Sequence, residues 1–203
     1  VYDKGVSNFI VSSEIDTSSF PDANFLVVIN TLQALQLLVT HHRKQFTYSV
    51  IGITGSNGKT IVKEWLYQLL QSDYTIVRSP RSYNSQIGVP LSVWQMNAKH
   101  TLGIFEAGIS TINEMENLQK IISPTVGVLT NIGEAHNEGF ANDAEKLKEK
   151  LLLFQHAKKL VYCKDVVDEK LLSSSIKKIS WSKEQDAVIQ IDKIIKASNN
   201  TLL

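Results

Sequence analysis

Short, fully apolar runs alternate with stretches of helical spacing along most of this chain. Val50 to Ile53, Leu102 to Phe105, Val126 to Leu129 and Leu160 to Tyr162 have strand length, and Tyr74 to Val77 is a further candidate. Ile61, Val62, Trp65, Leu66, Leu69 and Leu70 recur every three or four positions and predict the apolar face of a helix. Thr111 and Glu114 fit a capping box opening a helix through Ile122, and another helix is expected from Asp143 to about His156. Strands that are apolar throughout, rather than at every second position, are buried on both faces. The pattern therefore predicts an α/β fold: a mostly parallel sheet with helices on both faces. One more strand-like run, Ala187 to Ile191, follows Ser182.

Residues 1–46 read as a small unit of their own. Phe9 to Ser12 and Phe25 to Ile29 are β-type runs separated by a polar turn at Pro21-Asp22. Thr31 is the expected cap of a helix carrying Leu32, Leu35, Leu38 and Val39, and His41 to Lys44 place positive charge at its C-terminal end. A short linker near Gln45 to Tyr48 leads into a second unit, 47–203.

Composition narrows the classes of function. Among 203 residues, 43% are hydrophobic and the formal net charge is +1, so the chain has a full core but no field suited to nucleic acid or an anionic membrane. No apolar run approaches the roughly 18 residues that span a bilayer, and no signal-peptide order of residues opens the chain. Cys163 is the one cysteine, which excludes an internal disulfide. A cytoplasmic location follows as the expectation. Val1 stands where a start methionine would, so a piece of a longer chain is expected.

The segment Thr54-Gly55-Ser56-Asn57-Gly58-Lys59-Thr60 carries the clearest chemistry. Its two glycines let backbone N–H groups converge on an anion, and a helix opening at Lys59 points its positive end into that cavity. Lys59 would neutralise terminal phosphates and Thr60 would ligate Mg²⁺. The generic phosphate-loop pattern is incomplete, because Ile53 stands where its first glycine belongs. Glu106 follows an apolar run, at the carboxyl edge of a strand, where open α/β sheets place ligands and a carboxylate could hold a hard cation. Taken alone, Glu106 could equally cap a helix, His136 could be a solvated loop residue, and Lys150 could be a lysine snorkelling beside Leu147, Leu151 and Phe154.

Five segments together resemble the Mur ligase family: T-G-S-N-G-K-T at 54–60, Y-N-S-Q-I-G-V-P-L-S at 83–92, F-E-A-G-I-S at 105–110, T-N-I-G-E-A-H-N-E-G-F at 130–140 and K-L-L-L-F at 150–154. They keep the family's order and spacing over most of residues 25–165. The resemblance implies a magnesium-dependent ligase that binds ATP on residues 54–60 with Asn131 at the nucleotide end. It implies two Mg²⁺ ions held by Thr60, Glu106 and His136, and a lysine carbamylated by CO₂. Lys150 stands four residues before an aromatic, as that lysine does; Lys146 and Lys148 are alternatives. Asn84, Ser85 and Gln86 are the implied substrate contacts, although the family's N-N pair is replaced here by Ser85-Gln86, and Ile61 replaces a second threonine. Within the family, A-H-N-E-G-F and I-G-V-P-L-S favour the member that joins D-alanyl-D-alanine to UDP-MurNAc-tripeptide through an acyl phosphate.

On this reading 1–46 is part of a UDP-substrate-binding domain and 47–203 is the central ATP-binding domain. The family's C-terminal domain is absent, so the piece alone is expected to be inactive. The missing part could be fused to another enzyme, on which no residue here bears. Two other classes share part of this pattern: a related ligase that adds glutamate to folate, and a non-catalytic nucleotide-binding module. Retention of Lys59, Glu106 and His136 disfavours the second, and the absence of a guanine-reading N-K-x-D disfavours a GTPase switch.

Overall fold

The computed structural model describes residues 1–133, 139–196 and 201–202. Seven strands form the principal sheet: β3 (Ser49–Thr54), β4 (Ile76–Arg78), β5 (Leu102–Glu106), β6 (Val126–Leu129), β7 (Lys159–Cys163), β8 (Lys177–Ser182) and β9 (Ile189–Gln190). Their spatial order is β4-β5-β3-β6-β7-β8-β9 and every pairing is parallel. The chain starts this sheet in the middle, fills one side with β4 and β5, then crosses β3 to build the other. That reversal opens a crevice at the carboxyl end of β3, the position at which doubly wound sheets bind ligands. The α/β expectation holds.

Each face has its own helical cover. On one, Ile53, Leu102 and Ile104 meet Val62, Leu66 and Leu70 of α2 (Lys59–Leu70). On the other, Val50, Phe105, Leu129 and Leu160 join α3 (Gly88–Val93), α4 (Met115–Ile122) and the turn Leu152–Phe154 that follows α5 (Asp143–Leu151). Gly127 lets Phe154 lie against β6; a Cβ there would come within 2.3 Å of the ring.

The N-terminal segment contributes a two-stranded parallel sheet of β1 (Asn8–Val11) and β2 (Asn24–Val27), with Phe9 stacked on Phe25 at 5.2 Å. Helix α1 (Thr31–Arg43) follows and packs on α3 and α4. Buried Arg43 donates to the carbonyls of Ile122, Phe46 and Ser123 at 2.8, 2.7 and 3.0 Å, so it closes the C-terminal end of α4 as well as its own helix.

Several details differ from the sequence expectation. Asn30, not Thr31, caps α1, accepting from the Gln33 amide at 2.9 Å. Ile61, Trp65 and Leu69 are exposed, because only the Val62-Leu66-Leu70 stripe of α2 faces the sheet. Glu114 reaches back to the Ser110 and Thr111 amides at 2.6 and 3.1 Å, yet α4 begins only at Met115. The helix from Asp143 tightens into a turn at Leu152 and does not run on to His156. Helix α3 and strand β8 had no counterpart in the expectation. Strand β8 buries Ser180 and Ser182, so its inward positions carry no apolar signal. No helix among the described residues is long and apolar enough to cross a membrane.

Candidate functional site

The loop between β3 and α2 owes its shape to Gly55 and Gly58, at φ 146° and 80°. A Cβ on Gly55 would meet Thr130 Oγ1 at 2.0 Å, so glycine is required by contact as well as by φ. Gly58 precedes α2 in a left-handed conformation, and no side chain caps the helix. Its first N–H groups therefore point toward the loop cavity, which has about 280 Å³ and is lined by Ser56 to Ile61 and Asn84.

A second loop braces this one from beneath. Asn131 Oδ1 accepts from the Asn57 amide at 2.8 Å, and the Asn131 carbonyl accepts from the Ser56 amide at 2.9 Å. Thr130 Oγ1 donates to the Asn57 carbonyl at 2.6 Å, while Ser56 Oγ accepts from the Gly133 amide at 3.1 Å. Asn131 thus acts on the loop's conformation. The Thr54 hydroxyl is likewise engaged, donating to the Ala107 carbonyl at 2.8 Å.

Glu106 ends β5 and is fully buried. Thr60 Oγ1 donates to its Oε2 at 3.0 Å, and the Lys63 ammonium lies 2.8 Å from its Oε1, which receives no directed hydrogen bond. A buried carboxylate beside a threonine hydroxyl, one oxygen incompletely satisfied, is a donor set suited to a hard cation that takes its remaining ligands from water and phosphate. Thr60 and Glu106, the two expected ligands of one ion, lie within hydrogen-bond distance of each other. His136, the other expected ligand, lies outside the described residues.

Lysines converge on the opposite side of the loop. Lys59 folds back to donate to the Gly55 and Ser56 carbonyls at 2.8 and 3.1 Å. Burial lowers its pKa, an effect that nearby Glu106 opposes. Lys150, 1% exposed, donates to the same Gly55 carbonyl at 3.3 Å. Burial, and then the charges of Lys59 and Lys146, lower its pKa to about 8. Of the alternatives, Lys148 is exposed, whereas Lys146 is buried, donates to Gly133 O at 2.5 Å and pairs with Asp143 at 3.0 Å. No carboxylate among the described residues lies within ion-pair distance of Lys150 to oppose the lowering of its pKa.

The three expected substrate contacts separate. Asn84 lines the loop cavity. Ser85 Oγ instead accepts from the Gly88 amide at 3.1 Å and helps open α3. Gln86 bridges Gln36 and the Glu114 carbonyl, both at 3.1 Å, tying α1 to α4. Lys63 was not anticipated: it lies among apolar positions of α2, and only the pairing of Glu106 with α2 reveals it.

Residues 53–203 match the Mur ligase middle domain. The chain belongs to the Mur ligase family. Among curated Mur ligases, the UDP-N-acetylmuramoyl-tripeptide–D-alanyl-D-alanine ligase of Borreliella burgdorferi is 35% identical over 144 residues, 68% of this chain and 31% of that protein. The enzyme of the same name from Treponema pallidum is 42% identical over 112 residues, 55% of this chain and 24% of that protein. A MurF ligase of Thermotoga maritima, solved in complex with ADP, superposes with a TM-score of 0.81 at 26% identity, covering 95% of this chain and 45% of that one. MurF from Acinetobacter baumannii gives 0.82 at 25% identity over 92% and 41%. The chain therefore spans about a third of the curated relatives' length. The Mur ligase resemblance read from the five segments is confirmed at the level of the family.

Proposed function

We propose that residues 47–203 form the ATP-binding domain of a cytoplasmic ligase that joins D-alanyl-D-alanine to UDP-MurNAc-tripeptide in peptidoglycan synthesis. Residues 1–46 would belong to the part that receives the UDP end of the substrate. The observation that carries this reading is the Thr60–Glu106 pair at the mouth of a glycine-shaped, lysine-lined loop, in a chain of this family.

The ATP phosphates would take the N–H groups at the start of α2, and the Lys59 ammonium would exchange its two loop carbonyls for phosphate oxygens. Thr60 and Glu106 would hold one Mg²⁺, and His136 a second. The ions would supply charge neutralisation between the carboxylate of the tripeptide and the γ-phosphate. Lys150, with its pKa near 8, has a substantial neutral fraction at physiological pH and can attack CO₂. A carbamate there would present an anion to the second cation while relieving the repulsion among three neighbouring ammonium groups. Attack of the tripeptide carboxylate on the γ-phosphate then gives an acyl phosphate and ADP. The amine of D-alanyl-D-alanine displaces phosphate from it, and Asn84 stands where the substrate enters.

The test is phosphate release by the full-length protein containing this chain. Release should require ATP, UDP-MurNAc-tripeptide and D-alanyl-D-alanine together, and Lys59→Ala should lower it by at least about 10²–10³-fold. Equal turnover with L-glutamate and a folate acceptor, or full activity in Lys59→Ala, would refute the assignment.

A further inference from the structure

Lys63 is 0% exposed and sits one helical turn beyond Lys59 and Thr60. A buried ammonium must find acceptors for its N–H groups and an opposing charge. Lys63 finds these in two separate segments. Its directed hydrogen bonds go to backbone carbonyls of the loop after β4, Ser79 at 2.8 Å and Arg81. Its charge faces Glu106 Oε1 at 2.8 Å, with the half-buried Glu64 at 3.3 Å. Arg81 adopts left-handed backbone, φ 49°, which a non-glycine residue keeps only where contacts hold it. The same loop runs on to Asn84 at the cavity mouth.

We propose that Lys63 is a positioning residue: it fixes the Glu106 carboxylate so that Oε2 stays with Thr60, and it couples that carboxylate to the loop carrying Asn84. Two further contacts support the coupling. The Glu106 amide donates to Ser79 Oγ at 3.2 Å, and the Gly108 amide donates to the Asn84 carbonyl at 2.8 Å, so the ends of β4 and β5 are already laced together. Lys63 adds an ionic tie to Glu106, and Glu64, which it also meets, pairs with Arg78 at the end of β4. Without it, the carboxylate could turn away from Thr60, and the 79–84 segment would lose two of its anchors. A cation held by Thr60 and Glu106 would then bind less well, even with the phosphate grip of Lys59 intact.

This inference rests on the nucleotide-site reading above, and the experiment separates the two. ADP binding to the chain is measured calorimetrically with EDTA and with Mg²⁺, for wild type, Lys63→Met and Lys63→Arg. The wild type should bind ADP and gain at least tenfold in affinity with Mg²⁺. Lys63→Met should keep the EDTA affinity and lose that gain; Lys63→Arg should recover part of it. A folded Lys63→Met with the full Mg²⁺ gain overturns the proposal. Absence of ADP binding by the wild type would instead overturn the site reading. Should Lys63→Met not fold, the ¹⁵N ammonium resonance of Lys63 in the wild type, assigned by its loss in Lys63→Arg, decides. It should shift on adding Mg²⁺ to the ADP complex, and an unmoved resonance in a complex that binds Mg²⁺ sinks the idea.

Discussion

Lys63 and Lys150 are equally deep, 0% and 1% exposed, yet their surroundings are opposite. Lys63 has a carboxylate 2.8 Å away and two carbonyls. Lys150 has, among the described residues, the Gly55 carbonyl at 3.3 Å and two cationic neighbours, and its pKa falls to about 8. One lysine faces a carboxylate; the other faces like charge, the setting from which the proposed carbamylation at Lys150 follows. Burial depth alone does not assign a role to a lysine. The sign of what lies around it does.

Activity should separate the two lysines by the widest margin. In the full-length protein, the proposed ligase activity predicts that Lys150→Arg costs about 10²–10³-fold in phosphate release, because arginine keeps the charge but cannot form a carbamate. Near-normal turnover would reduce Lys150 to a structural cation. Stability should split the two residues next. Lys63→Met strands a buried carboxylate and should destabilise the chain by about 3–5 kcal/mol in denaturant unfolding. Lys150→Met removes a buried cation that has no carboxylate partner among the described residues and should stabilise it at pH 7, by an amount on the order of 1–3 kcal/mol. Both substitutions destabilising equally would erase the distinction.

The two lysines should also differ in their pH dependence. Folding lowers the Lys150 pKa from its ordinary 10.5 to about 8, so between those values the unfolded chain binds more protons than the folded one. The cost of burying charged Lys150 is therefore complete below about pH 8 and is relieved as pH rises toward 10. Wild-type stability should climb relative to Lys150→Met across that window, and a flat difference would count against the neutral amine. Smallest of all, Asn30→Ala should cost about 1 kcal/mol through loss of the α1 cap while leaving nucleotide affinity unchanged. An equal loss of affinity would mean that α1 takes part in the site.

Much of this molecule is legible without coordinates, and the reasons are physical. Strands such as Leu102 to Phe105 are buried on both faces and announce themselves as unbroken apolar runs. The phosphate loop is legible because Gly55 and Gly58 meet a requirement of backbone geometry that few other residues could satisfy. Strand β8 is not, since its inward residues are serines. Half the apolar face expected of α2 proved exposed, because periodicity reports that a stripe exists without saying how wide a strip the sheet covers. The motif containing Ser85 and Gln86 gave no sign of what their side chains hold within the fold, namely α3, α1 and α4. Lys63 could not be read at all: its meaning lies in the pairing of β5 with β3, which brings Glu106 beneath α2.

The claim on which the rest turns is that one rim of the sheet gathers a phosphate grip and a lysine able to take up CO₂. It is tested most directly by ¹³C NMR of the protein in ¹³C-bicarbonate near pH 8. The account predicts a carbamate resonance that disappears in Lys150→Arg and persists in Lys63→Arg and Lys146→Arg. A spectrum without a carbamate, or one whose carbamate survives in Lys150→Arg, would contradict it.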